Sequence, residues 1–324
     1  MRSSPRIGQR DWPRWRVSLL TDTLGSLLGE AVAALTSAGS DQPRRRARQL
    51  IAASLGLSAA ELLMDPERPL GCSAVVRVLG LVDRMGRGEP LSRVLGRREF
   101  WGLDFALSDE TLDPRPESET IIEAVTARVC VRSRPLRMLD LGTGSGCLLL
   151  ALLSEFPAAT GFGVDLSIGA AATARRNAET LGFAGRARFV VGDWGGALAQ
   201  RFDVIVANPP YVATATLREL PHEVSGYDPQ RALDGGEDGL AAYRSIAVQL
   251  PALLAPSAIF AAEVGAGQAA AVATLLRRCG LFPEAIERDL AGIERCVVAR
   301  ETADGRARLS DRGQKSLGMC RRHV

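Results

Sequence analysis

The 324-residue chain is 46% hydrophobic and 24% charged, with a formal net charge of +3 at pH 7. These values fit a soluble globular protein with room for one large domain and a small one, and the charge is too low to argue a nucleic-acid partner. Six cysteines without metal-like spacing and only two histidines, His222 and His323, argue against a disulfide framework, a metal site and histidine acid–base chemistry. A reducing cytoplasm is the expected compartment. No run of about 18 apolar residues is present, so no membrane span is expected.

Residues 1–16 are basic and polar and read as a tail. From Val17 the apolar residues recur at helical spacing, as Leu20, Leu24, Leu27, Leu28, Ala31 and Leu35. Ser40 and Asp41 offer a cap for a second helix, a third segment follows Ser58, and a fourth covers roughly Ser73 to Met85. Gly86, Gly88 and Pro90 end this helical unit, giving a domain over 17–90 whose stripes predict a small core. A β-hairpin pivoting on Gly102 and a stiff Pro114-Arg115-Pro116-Glu117 linker fill 91–118. The linker is expected to face the functional site.

Residues 119–300 alternate helix and strand, which predicts a mostly parallel sheet covered on both faces. Strands are expected at 136–141, 161–165, 187–191, 202–207, 258–264, 285–290 and 293–299, the last two forming an antiparallel pair about Ala291-Gly292. Residues 301–324 are basic and polar and are expected to be disordered.

Four strand ends carry chemistry. Asp140-Leu141-Gly142-Thr143-Gly144-Ser145-Gly146 joins a strand to a helix through a glycine-rich turn, whose backbone can approach a ligand and present N–H groups to it. The turn lacks Gly-Lys-Ser/Thr, which excludes a nucleoside triphosphate P-loop. Asp140 is placed to hold the amino end of a ligand. Asp165 ends the next strand, where an acid accepts from ribose hydroxyls in nicotinamide and S-adenosylmethionine enzymes alike. Asp193 and Trp194 close the third, where a carboxylate can accept from an adenine amino group and an indole can cover the ring.

Asn208-Pro209-Pro210-Tyr211 follows the strand Phe202–Ala207. The prolines forbid its continuation and leave carbonyls with few competing N–H donors, while the Asn side chain adds an acceptor oxygen and the Tyr a flat face. This turn suits gripping a planar amino group.

Asp140-x-Gly-x-Gly-x-Gly, Asp165, Asp193-Trp194 and Asn208-Pro-Pro-Tyr211, in this order, resemble an S-adenosylmethionine-dependent amino-methyltransferase. Glu99-Phe100-Trp101-Gly102, Pro114-Arg115-Pro116-Glu117-x-Glu119, Leu233-Asp234-Gly235-Gly236-x-Asp238-Gly239-Leu240 and Glu263-Val264-Gly265-x-Gly267-Gln268 narrow the resemblance to the HemK/PrmC family, over roughly 17–300. The resemblance implies a class I methyltransferase fold, a seven-stranded Rossmann-like sheet with an antiparallel last strand, behind a small N-terminal helical domain. It implies methylation of the glutamine amide in the Gly-Gly-Gln loop of peptide chain release factors, with no direct nucleic-acid partner. Glutamine on a ribosomal protein or the N6 amino group of adenine in nucleic acid are the alternatives.

It further implies donor contacts from Asp140, Gly142, Thr143, Gly144, Ser145, Gly146, Asp165, Asp193, Trp194 and Asn208, with S-adenosylhomocysteine as product. Asn208, Pro209 and Tyr211 are the expected catalytic residues, and these with Pro210, Arg115 and Glu117 are the expected substrate contacts. Asp113 stands where an aliphatic residue is usual, and Ser118 where Thr is common.

Overall fold

The computed structural model describes residues 22–301, so the two basic tails expected at either end lie outside the described residues. The chain divides into two compact units after Leu95.

The first unit is helical. Helix α1 (Leu24–Ser37) starts behind Thr23, whose side chain accepts from the Ser26 N–H in a reciprocal capping box. Helix α2 (Pro43–Leu55) is not capped by Ser40 or Asp41 as expected. Pro43 occupies its first turn, where a missing N–H costs nothing, and Gln42 precedes it in left-handed backbone at φ 48° without a side-chain cap. Ser58 caps α3 (Ala59–Met64) as the sequence indicates, and α4 (Cys72–Gly86) is followed by an unanticipated short helix, α5 (Leu91–Leu95). Leu24, Leu27, Leu35, Leu50, Ile51, Val78 and Val82 make the core of this unit.

The second unit opens with the hairpin β1 (Arg97–Phe100) and β2 (Leu103–Ala106), paired antiparallel. Trp101 and Gly102 between them both have positive φ, 53° and 70°, the backbone that matches strand twist in a two-residue turn. A tryptophan there is held by two acids: its N–H donates to Glu119 Oε1 and its indole to Glu155 Oε1, each at 2.9 Å.

Seven strands form the main sheet: β3 (Arg137–Leu141), β4 (Thr160–Asp165), β5 (Ala187–Val191), β6 (Phe202–Ala207), β7 (Leu254–Glu263), β8 (Leu281–Arg288) and β9 (Glu294–Glu301). Their order is β5-β4-β3-β6-β7-β9-β8; the first five run parallel, and β9 lies antiparallel to both β7 and β8. The expected antiparallel closing strand is therefore inserted beside β7, leaving β8 at the edge. β8 begins four residues before the expected start, because an edge strand tolerates Pro283, where the register also shifts.

Alternation by two along each central strand feeds two cores. In β6, Val204 and Val206 face the core shared with α6 (Glu119–Arg128) and α7 (Cys147–Glu155), while Ile205 and Ala207 face the other. Cys296 and Val298 against Val297 and Ala299 split β9 likewise. Helices α10 (Ala241–Leu253) and α11 (Ala269–Arg278) cover the second face with Ile246, Leu250, Val272 and Leu276. Helix α8 (Ile168–Thr180) contributes Ala178 to the first core, and the short α9 (His222–Ser225) lies in the loop after β6. Burial on both faces is why these strands read as continuous apolar runs, and it leaves only their carboxyl ends free for polar chemistry.

Candidate active site

The carboxyl ends of β3, β4, β5 and β6 surround one cavity, lined by Gly142 to Ser145, Asp165, Leu166, Asp193, Trp194, Asn208 and Pro210. The glycine turn after β3 carries positive φ at Gly142, Gly144 and Gly146. At Gly144 an added Cβ would meet nothing within 4 Å, so this glycine is needed for its backbone conformation at φ 55° and its peptide faces open space. Gly142 is different: its Cβ would press on the Trp194 ring at 3.3 Å, which seats the indole against the turn. Trp194 itself has φ 51°, a left-handed conformation unusual for a bulky residue.

Asp165 is tied on both oxygens. Gly144 N–H donates to Oδ2 at 2.9 Å and Ser167 N–H to Oδ1 at 2.8 Å, leaving further lone pairs toward the cavity. Burial raises its carboxyl above the ordinary range, opposed by those two bonds. Asp193 is exposed at the rim.

Asp140 lies beneath the turn rather than in the cavity wall. Its Oδ2 accepts from the Thr143 hydroxyl at 2.7 Å, while Oδ1 is buried without a hydrogen-bond partner. Burial pushes its carboxyl up to about 7. An orphaned buried carboxylate oxygen under an open glycine turn fits the ammonium end of an amino-acid-bearing donor. With a ribose-type acid and a rim acid beside an indole, the donor set fits S-adenosylmethionine.

A second cavity opens on the other side of Asn208, lined among others by Leu112, Arg115, Tyr211, Leu233 and Glu263. Leu112, Asn208 and Ala232 line both. Pro209 is buried and lines neither cavity. The turn is braced from outside: Val212 N–H donates to Leu233 O at 3.0 Å and Gly235 N–H to Val212 O at 2.8 Å. Gly235 is indispensable to that approach, since a Cβ there would fall 2.8 Å from Pro210 O.

Two expected substrate contacts stand differently. Arg115 lines the second cavity, but its guanidinium is bound to the buried Asp228 and lies 3.9 Å from Asp113. The unusual Asp113 is buried between Arg98, at 3.8 Å, and Arg115, and its N–H donates to Asp228 Oδ1 at 3.2 Å. Glu117 lines neither cavity and is exposed. It shares the 3₁₀ turn Pro116–Ser118 with Ser118, and successive residues there point about 120° apart, so only Ser118 faces inward.

Sequence reasoning missed three groups. Ser118 and Glu263 form a buried chain behind Asn208: Asn208 Nδ2 donates to Ser118 Oγ at 3.0 Å, Ser118 Oγ donates to Glu263 Oε2, and Tyr211 Oη donates to Glu263 Oε1 at 3.2 Å. Burial raises the Glu263 carboxyl, opposed by both hydroxyls and by Arg295. A lone acid closing the apolar strand Ala258–Ala262 was the available signal. The third group spans the donor cavity: Glu110 Oε2 accepts from Arg231 at 2.7 Å and from the Ser167 hydroxyl at 2.6 Å. It joins segments far apart in sequence and left no local mark.

Among the described residues no group of acids, cysteines and histidines could hold a metal ion, and no helix is long and apolar enough to cross a membrane.

Comparison with known proteins extends the geometry. Residues 26–96 match the PrmC N-terminal domain and residues 107–224 the methyltransferase small domain. The release factor glutamine methyltransferase of Rhodospirillum rubrum is 49% identical over 282 residues, covering 87% of this chain and 86% of that protein. Those of Bradyrhizobium diazoefficiens, 44% identical over 83% of this chain and 92% of theirs, and Caulobacter vibrioides, 40% over 82% and 91%, are also similar. With this sheet, this N-terminal helical unit and relatives matched over most of their length at such identity, the chain belongs to the release factor glutamine methyltransferase family.

Proposed function

We propose that this protein transfers a methyl group from S-adenosylmethionine to the side-chain amide nitrogen of the glutamine in the Gly-Gly-Gln motif of peptide chain release factors, in the cytoplasm. The observation that carries the reading is the position of Asn208 in the wall of both cavities, one suited to the donor and one to the acceptor. Family membership supports glutamine as the acceptor.

The donor supplies an electrophilic methyl on a sulfonium. The acceptor is a poor nucleophile, because an amide lone pair is delocalised into its carbonyl. The residues must therefore contribute orientation and relief of the positive charge that develops on nitrogen. Asn208 Oδ1 and the Pro209 carbonyl accept hydrogen bonds from the two amide N–H groups and aim the nitrogen along one line, and one of those protons passes to solvent once the methyl has been transferred. Tyr211 packs on the amide or its flanking backbone. On the donor side the turn 142–146 and Asp140 hold the amino-acid end, Asp165 the ribose, and Asp193 with Trp194 the adenine.

The test is mass spectrometry of a purified release factor after incubation with the protein and S-adenosylmethionine. A single methyl gained on the Gly-Gly-Gln peptide, and lost with Asn208→Ala, is the expected result. Absence of that methyl with donor binding intact would remove the release factor as substrate.

A further inference from the structure

The Asn-Pro-Pro-Tyr turn can work only if Asn208 presents its oxygen, not its amide nitrogen, to the acceptor. The two ends of an Asn side chain are nearly the same size, so packing alone does not choose between them. Something must select one orientation by hydrogen-bond polarity.

Behind Asn208 the structure holds a chain of defined polarity. Glu263 is 1% exposed, and as a carboxylate it can only accept. Each of its oxygens meets a hydroxyl: Ser118 on Oε2 and Tyr211 on Oε1. Ser118, 2% exposed, has a single hydroxyl proton and spends it on Glu263. Its remaining capacity is as an acceptor, and what it accepts from is Asn208 Nδ2 at 3.0 Å. The amide nitrogen of Asn208 is thereby turned inward and Oδ1 outward.

We infer that Ser118 and Glu263 are positioning residues for methyl transfer, a polarity relay from a buried carboxylate through one hydroxyl that locks the Asn208 amide with its oxygen toward the acceptor. The relay joins three elements that meet nowhere in the sequence: the 3₁₀ turn before α6, the end of β6 and the end of β7. It requires a hydroxyl at position 118, so the Ser found where Thr is common preserves the function. It requires an acceptor-only group at 263. A glutamine there can offer its NH2 to Ser118, freeing the Ser118 proton for Asn208 Oδ1 and reversing the amide. Such a reversed Asn208 would point a donor at the –NH2 it must grip.

The inference rests on the proposed glutamine methylation, so the wild-type protein acting on a release factor is the control. If it fails to methylate, the proposed function fails and the relay has no reaction to serve. Given wild-type turnover, kcat with release factor and Kd for S-adenosylmethionine are measured for Ser118→Ala, Ser118→Thr and Glu263→Gln, with thermal melts of each. Ser118→Ala and Glu263→Gln are expected to lower kcat roughly 10- to 100-fold, the scale of a misaligned reacting group, with the donor Kd within about threefold. Ser118→Thr is expected to keep wild-type kcat. Wild-type kcat in Ser118→Ala, or equal loss in Thr and Ala at 118, would overturn the relay. If Glu263→Gln does not fold, the Ser118 pair decides alone, because a purely structural role would lower the melting temperature and donor affinity of Ser118→Ala along with kcat.

Discussion

Gln268 Nε2 donates to the main-chain carbonyl of Tyr211 at 2.9 Å, while its Oε1 accepts from Gly265 N–H at 3.1 Å. A residue at the start of α11 thus grips the far end of the turn that begins at Asn208. Gly239 fills the remaining space: a Cβ there would stand 2.4 Å from Tyr211 O and 2.6 Å from Gln268 Nε2. The site turn is clamped by backbone contacts that side chains elsewhere make possible, and this clamp can be tested separately from the chemistry.

Gly239→Ala should be severe for two reasons that add. Its φ of 74° costs a non-glycine residue about 1–2 kcal/mol, and the clash with Tyr211 O forces the turn or the loop to shift. Gly182→Ala is the control, with φ 81° but nothing within 4 Å. We predict a clear fall in melting temperature and loss of turnover for the first, and only a modest melting shift with normal turnover for the second. Equal melting shifts would contradict the clash.

Asn208→Ala removes the acceptor oxygen proposed to grip the substrate amide while leaving most of the donor cavity in place. Turnover should fall at least about 100-fold, the scale seen when one preorganised hydrogen-bonding group is removed. Calorimetric binding of S-adenosylmethionine should change only a few-fold. Near-normal kcat would rule out the proposed grip on the amide.

Asp140→Asn separates stability from binding through pH. The folded carboxyl sits near 7 against an ordinary 3.8, so the folded state holds this proton more tightly than the unfolded chain does. Its contribution is therefore full below about 3.8 and lost as pH rises through 7. Asn does not titrate, so relative to wild type the variant should gain stability between pH 5 and pH 8, by a few kcal/mol at most, read as a melting-temperature difference that rises with pH. Donor affinity should fall at both values. A melting difference that ignores pH would show that Asp140 is not the buried charge described.

Arg231→Ala opens the bridge from Glu110 across the donor cavity. Both partners are partly exposed, so the pair is worth no more than about 1 kcal/mol, or roughly fivefold in equilibrium. We predict a Kd for S-adenosylmethionine raised about two- to fivefold, chiefly through faster dissociation, with the difference from wild type shrinking in high salt. Unchanged dissociation in stopped-flow fluorescence of Trp194 would argue against a closing role.

Much of the site was legible in the chain itself. The glycine turn, Asp165, Asp193-Trp194 and Asn208-Pro-Pro-Tyr211 are local runs at strand ends, and a strand's carboxyl end in a parallel sheet can be located from apolar runs and punctuation alone. The same local signals identified β5 and β6 to the residue. One error was local, where Pro43 in the first turn displaced the expected cap of α2, and one fell where tertiary context overrides propensity, where Pro283 entered an edge strand that needs no donor at that position.

The sequence by itself determined the alternation that buries the sheet on both faces, the turn chemistry at its open ends and the family. The tertiary structure alone decided which polar groups meet. Ser118 and Glu263 are 145 residues apart, and Glu117 and Ser118 are neighbours in sequence of which one is exposed and the other buried. Hydrogen bonds act over about 3 Å of space and carry no trace of sequence separation, so the relay behind Asn208, the Asp228 grip on Arg115 and the Glu110–Arg231 bridge exist only in the folded chain.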